Sequence, residues 1–138
     1  MGNNKFAACV TLPKIEELER KIALNKGREA SVLRMHPWIF SGAIWRKAGD
    51  IQPGDMVEVC DYKGNTLGFG LYEEGSLQIR MVNFGPNMPD EDFWRQKLVA
   101  AYELRKGLGF MDSTHTNAFR FIHAEGDGFP GLVADFYN

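Results

Sequence analysis

Cysteine is scarce: Cys9 and Cys60 are the two in 138 residues, and no Cys-x-x-Cys pair exists. Histidine is scarce too, and His36, His115 and His123 do not supply metal-ligand spacing. These shortages argue against a zinc site. Two cysteines permit one disulfide, but nothing else suggests secretion, so a reduced, cytoplasmic setting is the default. Long apolar runs are missing as well, which leaves no signal peptide or membrane span in view. Met1-Gly2-Asn3-Asn4-Lys5-Phe6 opens like a myristoylation site, but Phe6 stands where Ser or Thr is needed. An excess of either charge is absent: 16 Lys and Arg face 18 Asp and Glu, for a net charge of −2. Whole-chain attraction to nucleic acid is thereby excluded, and such a function would need a local basic patch.

What is present is an ordinary globular composition, 44% hydrophobic and 25% charged. The densest stretch is residues 27–42, GREASVLRMHPWIFSG. Residues 28–35 hold good helix formers with Ala30, Val32 and Leu33 as apolar anchors, and Pro37 forbids a long continuation. A short helix with a hard stop is predicted. Trp38, Ile39 and Phe40 follow as a bulky cluster read as core. Before this stretch, residues 14–21 read as a solvated lead-in with a possible helical turn or two, and residues 22–25 as a brief strand.

Residues 43–45 read as a short strand. Residues 56–61 and 66–72 alternate with period two across a Lys63-Gly64-Asn65 turn, which is a β-hairpin signature. Gly68 and Gly70 suggest strong curvature or close backbone approach. Cys60 falls on the face opposite Val57 and Val59. Residues 77–84 form a further strand, with Leu77, Ile79 and Met81 on one face and Arg80 on the other. Asp90 caps a long helix that carries acids in its first turn, Arg105 and Lys106 in its last, and a stop at Gly107. Its apolar stripe is Trp94, Leu98, Ala101, Tyr102 and Leu108. Two strands, 119–123 and 132–137, flank a loop rich in glycine and acid. Such a pair cannot bury both faces alone.

Local signatures of Ser/His/Asp or Cys/His catalysis are not found. Gly126-x-Gly128-x-x-Gly131 matches a dinucleotide fingerprint by letter. Pro130 sits inside it, Asp127 would repel phosphate, and a strand rather than a helix follows, so the context fails. Glu125 and Asp127 are commoner in such loops as turn formers than as paired catalytic acids. A small enzyme using Glu125, Asp127 and His123 is the least favoured reading. The candidate binding residues are Lys26, Arg28, Arg34 and His36 at the ends of the short helix, with Arg80 extending the patch. As ordinary surface cations they would need no function. As a patch they would grip phosphates, giving affinity and salt dependence without sequence readout.

These residues also carry a family likeness. Lys26-Gly27-Arg28-Glu29, Val32-Leu33-Arg34, residues 36–44 (HPWIFSGAI), Pro53-Gly54-Asp55, the Gly64 turn with Gly68 and Gly70, and Ile79-Arg80 resemble the start of the large-subunit ribosomal RNA cytosine-5 methyltransferases. The most specific match is residues 119–135, FRFIHAEGDGFPGLVAD, with its arginine, E-x-D and P-G-L order. The likeness runs from Ile22 to the last residue.

The resemblance implies a PUA domain that binds structured RNA, then a small α/β domain, then a Rossmann-like domain that holds S-adenosylmethionine and the catalytic cysteine. The expected class is α+β: a small PUA-like β-barrel with a short helix, then a long connecting helix and a partial β-hairpin. The division is a lead-in at 1–20, the barrel at 21–86, linker and helix at 87–109, and the opening of the central domain at 110–138. Neither Cys9 nor Cys60 lies where the family places its nucleophile. No catalytic, cofactor-binding or metal residue therefore carries over, and these residues alone are expected not to methylate RNA. S-adenosylmethionine is implied for the full-length parent only. Expected partners are structured RNA, ribosomal by the resemblance, the parent's catalytic domain, and a second copy through the terminal hairpin. A membrane is not expected. The competing reading is a scaffolding piece that packs on a catalytic partner or on itself.

Overall fold

The computed structural model describes residues 20–137. Six strands form one mixed sheet: β1 (Lys21–Leu24), β2 (Trp38–Phe40), β3 (Ile44–Ala48), β4 (Met56–Cys60), β5 (Thr66–Tyr72) and β6 (Leu77–Phe84). Their order is β2-β6-β5-β4-β1-β3. β1 runs parallel to β4, and the other pairings are antiparallel. The two edge strands, β2 and β3, are joined by the three-residue 3-10 turn Ser41–Ala43. So short a link draws the two edges toward each other and curls the sheet. β2 and β3 do not pair, so the sheet is a curled half-barrel rather than the closed barrel expected from the sequence.

Inside the curl lie Ile22 and Leu24 of β1, Ile39 of β2, Val57 and Val59 of β4, and Ile79 of β6. Each buried side chain of this kind contributes about 1.5–3 kcal/mol. The short helix α1 (Glu29–Leu33) covers the curl with Val32. Glycine is required where β5 crosses β6. A Cβ on Gly70 would stand 2.5 Å from Ile79 Cγ2 and 2.8 Å from the Arg80 carbonyl, and one on Gly68 would overlap the Asn83 carbonyl oxygen. The close approach expected from the sequence is thus present.

Trp38 and Phe40 are not core: they are 40% and 49% exposed, and Ile39 between them is buried. The reason is the strand itself, which sends alternate side chains to opposite faces. Cys60 keeps the expected face, opposite Val57 and Val59: it stands outside their cluster and its Sγ donates to Glu58 Oε1 at 3.6 Å, yet it is buried. Burial, helped by the nearby Glu58 carboxylate, pushes its thiol up to about 11. Of the expected lead-in, residues 1–19 lie outside the described residues, and so does all but Arg20 and Lys21 of the helical turn read over 14–21. Lys21 belongs to β1. Arg20 pairs with Asp55 at 3.0 Å.

Helix α2 (Glu91–Gly107) begins where expected, with Asp90 accepting from the Phe93 amide at 2.8 Å. It ends later than expected. Gly107 is its last turn, and Gly109 is the left-handed residue, at φ 78°. The Gly109 amide donates to the Lys106 carbonyl and the Phe110 amide to the Arg105 carbonyl, the Schellman arrangement. The expected stripe is mostly outside: Ala101 is buried, while Leu98, Tyr102 and Leu108 are exposed. The buried face centres on Arg105. Strands β7 (Ala118–His123) and β8 (Val133–Tyr137) form a separate two-stranded sheet, linked through a 3-10 turn at Ala124–Asp127. Phe119 stacks between Phe110 and Phe136, at 5.6 and 5.1 Å.

Candidate nucleic-acid interface

The short helix sets the geometry of the candidate site. Its last turn closes on Met35, at φ 61°. The Met35 amide donates to the Val32 carbonyl at 2.8 Å and the His36 amide to the Ser31 carbonyl at 3.0 Å. This is the same closure that Gly109 makes in α2, with a methionine in the position that glycine usually takes. Pro37 leads into β2, and its carbonyl accepts from the Met81 amide at 2.7 Å. The His36 ring is held by its own strand: Nδ1 lies 3.2 Å from both the amide and the carbonyl of Trp38.

Arg28, Ser31, His36, Trp38 and Phe40 line one concavity of about 370 Å³. Two exposed aromatic rings and two basic side chains thus share a surface. Among the described residues no carboxylate pairs with Arg28 or Arg34. Charge at the rim is therefore uncompensated, and ring faces are open beside it, the combination that holds phosphate and base together.

The remaining candidates scatter. Arg34 is exposed at the end of α1, beside the concavity but outside its lining. Lys26 turns away and lies over the Tyr62 ring, 5.8 Å from its centre. Arg80 is engaged: it donates to Glu73 at 2.7 Å and to Glu125 at 2.6 Å. Both bonds, the one to Glu73 first, hold its guanidinium firmly charged. That charge serves the fold, so the sequence-based patch loses Arg80 as an open cation.

Glu125 and Asp127 are neither catalytic pair nor simple turn formers. Glu125 Oε1 accepts from Arg80 and, at 3.2 Å, from Trp38 Nε1. Burial pushes this carboxyl up, but bonds from its own backbone, Arg80 and Trp38 outweigh that and hold it below its usual range. Asp127 takes Arg105 in a two-pronged pair, 2.6 Å on each arm, and also accepts from the His123 amide at 2.6 Å. The Arg105 guanidinium holds this carboxyl down against the effect of burial. The E-x-D order thus fastens one loop to the barrel and to α2 at once. Sequence reading missed these roles because both arginines are distant along the chain. It also missed the ring faces of Trp38 and Phe40, although alternation around Ile39 was the signal for them.

The glycine run 126–131 leads into β8, not a helix, and Asp127 within it is taken by Arg105. No cluster of His, Cys, Asp and Glu suited to a metal ion occurs among the described residues. No helix among them is long and apolar enough to cross a membrane.

Comparison with known proteins agrees with this geometry. Residues 22–84 match the model of a PUA-like domain, spanning β1 to β6. The ribosomal RNA large subunit methyltransferase I of Erwinia tasmaniensis is 38% identical over 117 residues, covering 83% of this chain and 29% of that protein. Its namesake from Alteromonas mediterranea is 37% identical over 123 residues, covering 88% and 30%. The chain therefore spans about three tenths of the curated relatives it matches. Among solved structures, a Streptococcus mutans protein described as a proposed SAM-dependent methyltransferase superposes with a TM-score of 0.68 at 17% identity, over 85% of this chain and 30% of that one. A second structure, titled as a proposed methyltransferase complexed with SAH, gives the same values. These two likenesses speak to the fold alone.

Proposed function

We propose that residues 21–86 are the RNA-binding module of an S-adenosylmethionine-dependent methyltransferase that modifies cytosine C5 in large-subunit ribosomal RNA. The observation that carries this reading is the Arg28–His36–Trp38–Phe40 concavity, basic and aromatic and free of carboxylates, on a PUA-like sheet. The curated relatives, ribosomal RNA methyltransferases by name, support the target class. Arg28 and Arg34 hold backbone phosphates, and Trp38 and Phe40 accept bases. Helix α2 and the β7–β8 hairpin fix this module to the rest of the enzyme. Methyl transfer is not assigned to any residue described here, so no step of that chemistry is derived from them.

The test is a salt titration of binding to a ribosomal RNA fragment. Affinity falls steeply with salt, and Arg28→Ala flattens the slope by about one phosphate's worth. Phe40→Ala weakens binding about five- to a hundredfold, as loss of one base stack does. Binding indifferent to salt and to both substitutions refutes the reading.

A second reading, scaffolding, is favoured by one observation. Leu98, Tyr102 and Leu104 on α2 and Phe136 and Tyr137 on β8 are exposed. That surface would pack on a catalytic partner or a second copy. Sedimentation distinguishes these: concentration-dependent dimers support self-packing, and a monomer at all concentrations removes it.

A further inference from the structure

The opposite edge of the curled sheet carries a second aromatic and basic groove. It lies between β3 and the 61–64 turn that joins β4 to β5, with a volume of about 470 Å³. Trp45, Arg46, Tyr62 and Lys63 line it. Trp45 is 60% exposed. Its placement comes from a bulge: Ala23 pairs with Arg46 and Leu24 with Ile44, which leaves Trp45 without an opposite residue. Bulges of this kind re-aim a side chain, here a large indole outward from an edge strand. An indole so exposed contributes little to the core.

Charge decides what fits there. Lys26 and Lys63 both lie over the Tyr62 ring, 5.8 and 5.5 Å from its centre. Among the described residues no carboxylate pairs with Arg46 or Lys63. The acid in the groove, Asp61, is occupied by the turn, accepting from the Lys63 and Asn65 amides and from the Asn65 side chain. Lys21 is bound to Glu58 at 3.1 Å. In the lining, Arg46 and Lys63 outnumber the one acid, Asp61, beside two aromatic rings.

We propose that this groove is a second RNA contact, taking a single-stranded segment with a base stacked on Trp45 and its phosphates on Arg46 and Lys63. The inference rests on the reading of the module as RNA-binding. It extends that reading to a strand gripped at both edges of the sheet. Trp45 follows Trp38 by seven positions, so their Cα atoms stand no more than about 25 Å apart. A segment within the site sizes of about 4–16 nucleotides known for such grooves spans that distance.

The test labels the protein with 5-fluorotryptophan and follows the fluorine resonances of Trp38, Trp45 and Trp94, assigned by single Trp→Phe changes. The probe is an oligouridylate of about ten nucleotides. The expected result is a saturable shift at Trp45 that weakens with salt and with the double change Arg46→Ala, Lys63→Ala. Trp45→Ala lowers affinity about five- to a hundredfold, and Trp45→Phe keeps most of it, because a ring remains for stacking. A silent Trp45 beside a responding Trp38 overturns this inference and leaves the first site standing. A silent Trp38 beside a responding Trp45 does the reverse. A Trp45 shift given equally by inorganic polyphosphate, which has no base to stack, also overturns it.

Discussion

Asp127→Asn should free the β7–β8 hairpin from α2 while leaving the barrel intact. The pair it breaks is sealed from water: the Arg105 and Asp127 side chains are 9% and 7% exposed. Asp127 accepts three bonds, two from Arg105 and one from the His123 amide. Asparagine has one accepting oxygen, and its amide would point a donor at another donor. The Arg105 charge would stay buried without a counter-ion, held by its 3.0 Å bond to the Arg120 carbonyl and at most one from the asparagine oxygen. Removing one partner of such a pair costs about 3–5 kcal/mol. At 1.4 kcal/mol per tenfold, that is a rise of about a hundred- to several-thousandfold in local opening. Hydrogen exchange read by mass spectrometry measures it. Peptides covering 118–137 should lose protection, up to the whole stability of that unit, while peptides covering 21–84 keep theirs. Replacing both partners with apolar residues, Arg105→Met with Asp127→Leu, should recover much of the loss. Unchanged protection at 118–137, or equal loss in the barrel, would refute the reasoning.

The same pair sets a pH dependence. The folded Asp127 carboxyl lies below its usual value, so its contribution is complete above about pH 4, the ordinary aspartate range, and disappears as pH falls through the folded value. Hairpin protection should hold from pH 7 to 5 and decline below about 4, a decline smaller in Asp127→Asn, where the lowered carboxyls of Glu125 and Asp135 still titrate. A separate expectation concerns Met35→Gly. A left-handed backbone costs a side-chain-bearing residue about 1–2 kcal/mol, and Met35 is mostly exposed, so little packing is lost. Urea unfolding should show a gain of about 1 kcal/mol, and a loss would mean that the methionine side chain matters there.

Local rules made much of this fold readable. The β4–β5 hairpin follows from alternation and its turn residues. The start of α2 follows from Asp90 and the acids after it, and the crowding of β5 on β6 from Gly68 and Gly70. Sheet order was not readable, because pairing β2 with β6 or β1 with β4 depends on contacts distant in sequence. For the candidate site, Arg28 and His36 were legible as charge beside a helix. Arg80 misled, since a basic residue on a strand looks the same whether its partner is solvent or a glutamate 45 positions on. Trp38 and Phe40 misled for another reason. Hydrophobicity says that rings prefer burial, and only strand geometry says which of three neighbours receives it.

Sheet order also dictates when the module can work during its own synthesis. Among the described strands β2 pairs only with β6, so Trp38 and Phe40 lack that framework until Leu77 to Phe84 has been made. At about 5–20 residues per second, the wait from Phe40 to Leu77 is roughly 2–7 s. The middle of the sheet, β4 to β6, comes last in sequence and first in need. A nascent chain therefore displays Arg28 and its neighbouring rings well before it can hold them in place. The concavity proposed to take RNA is assembled by the final strand of the sheet, and the earlier strands alone cannot present it.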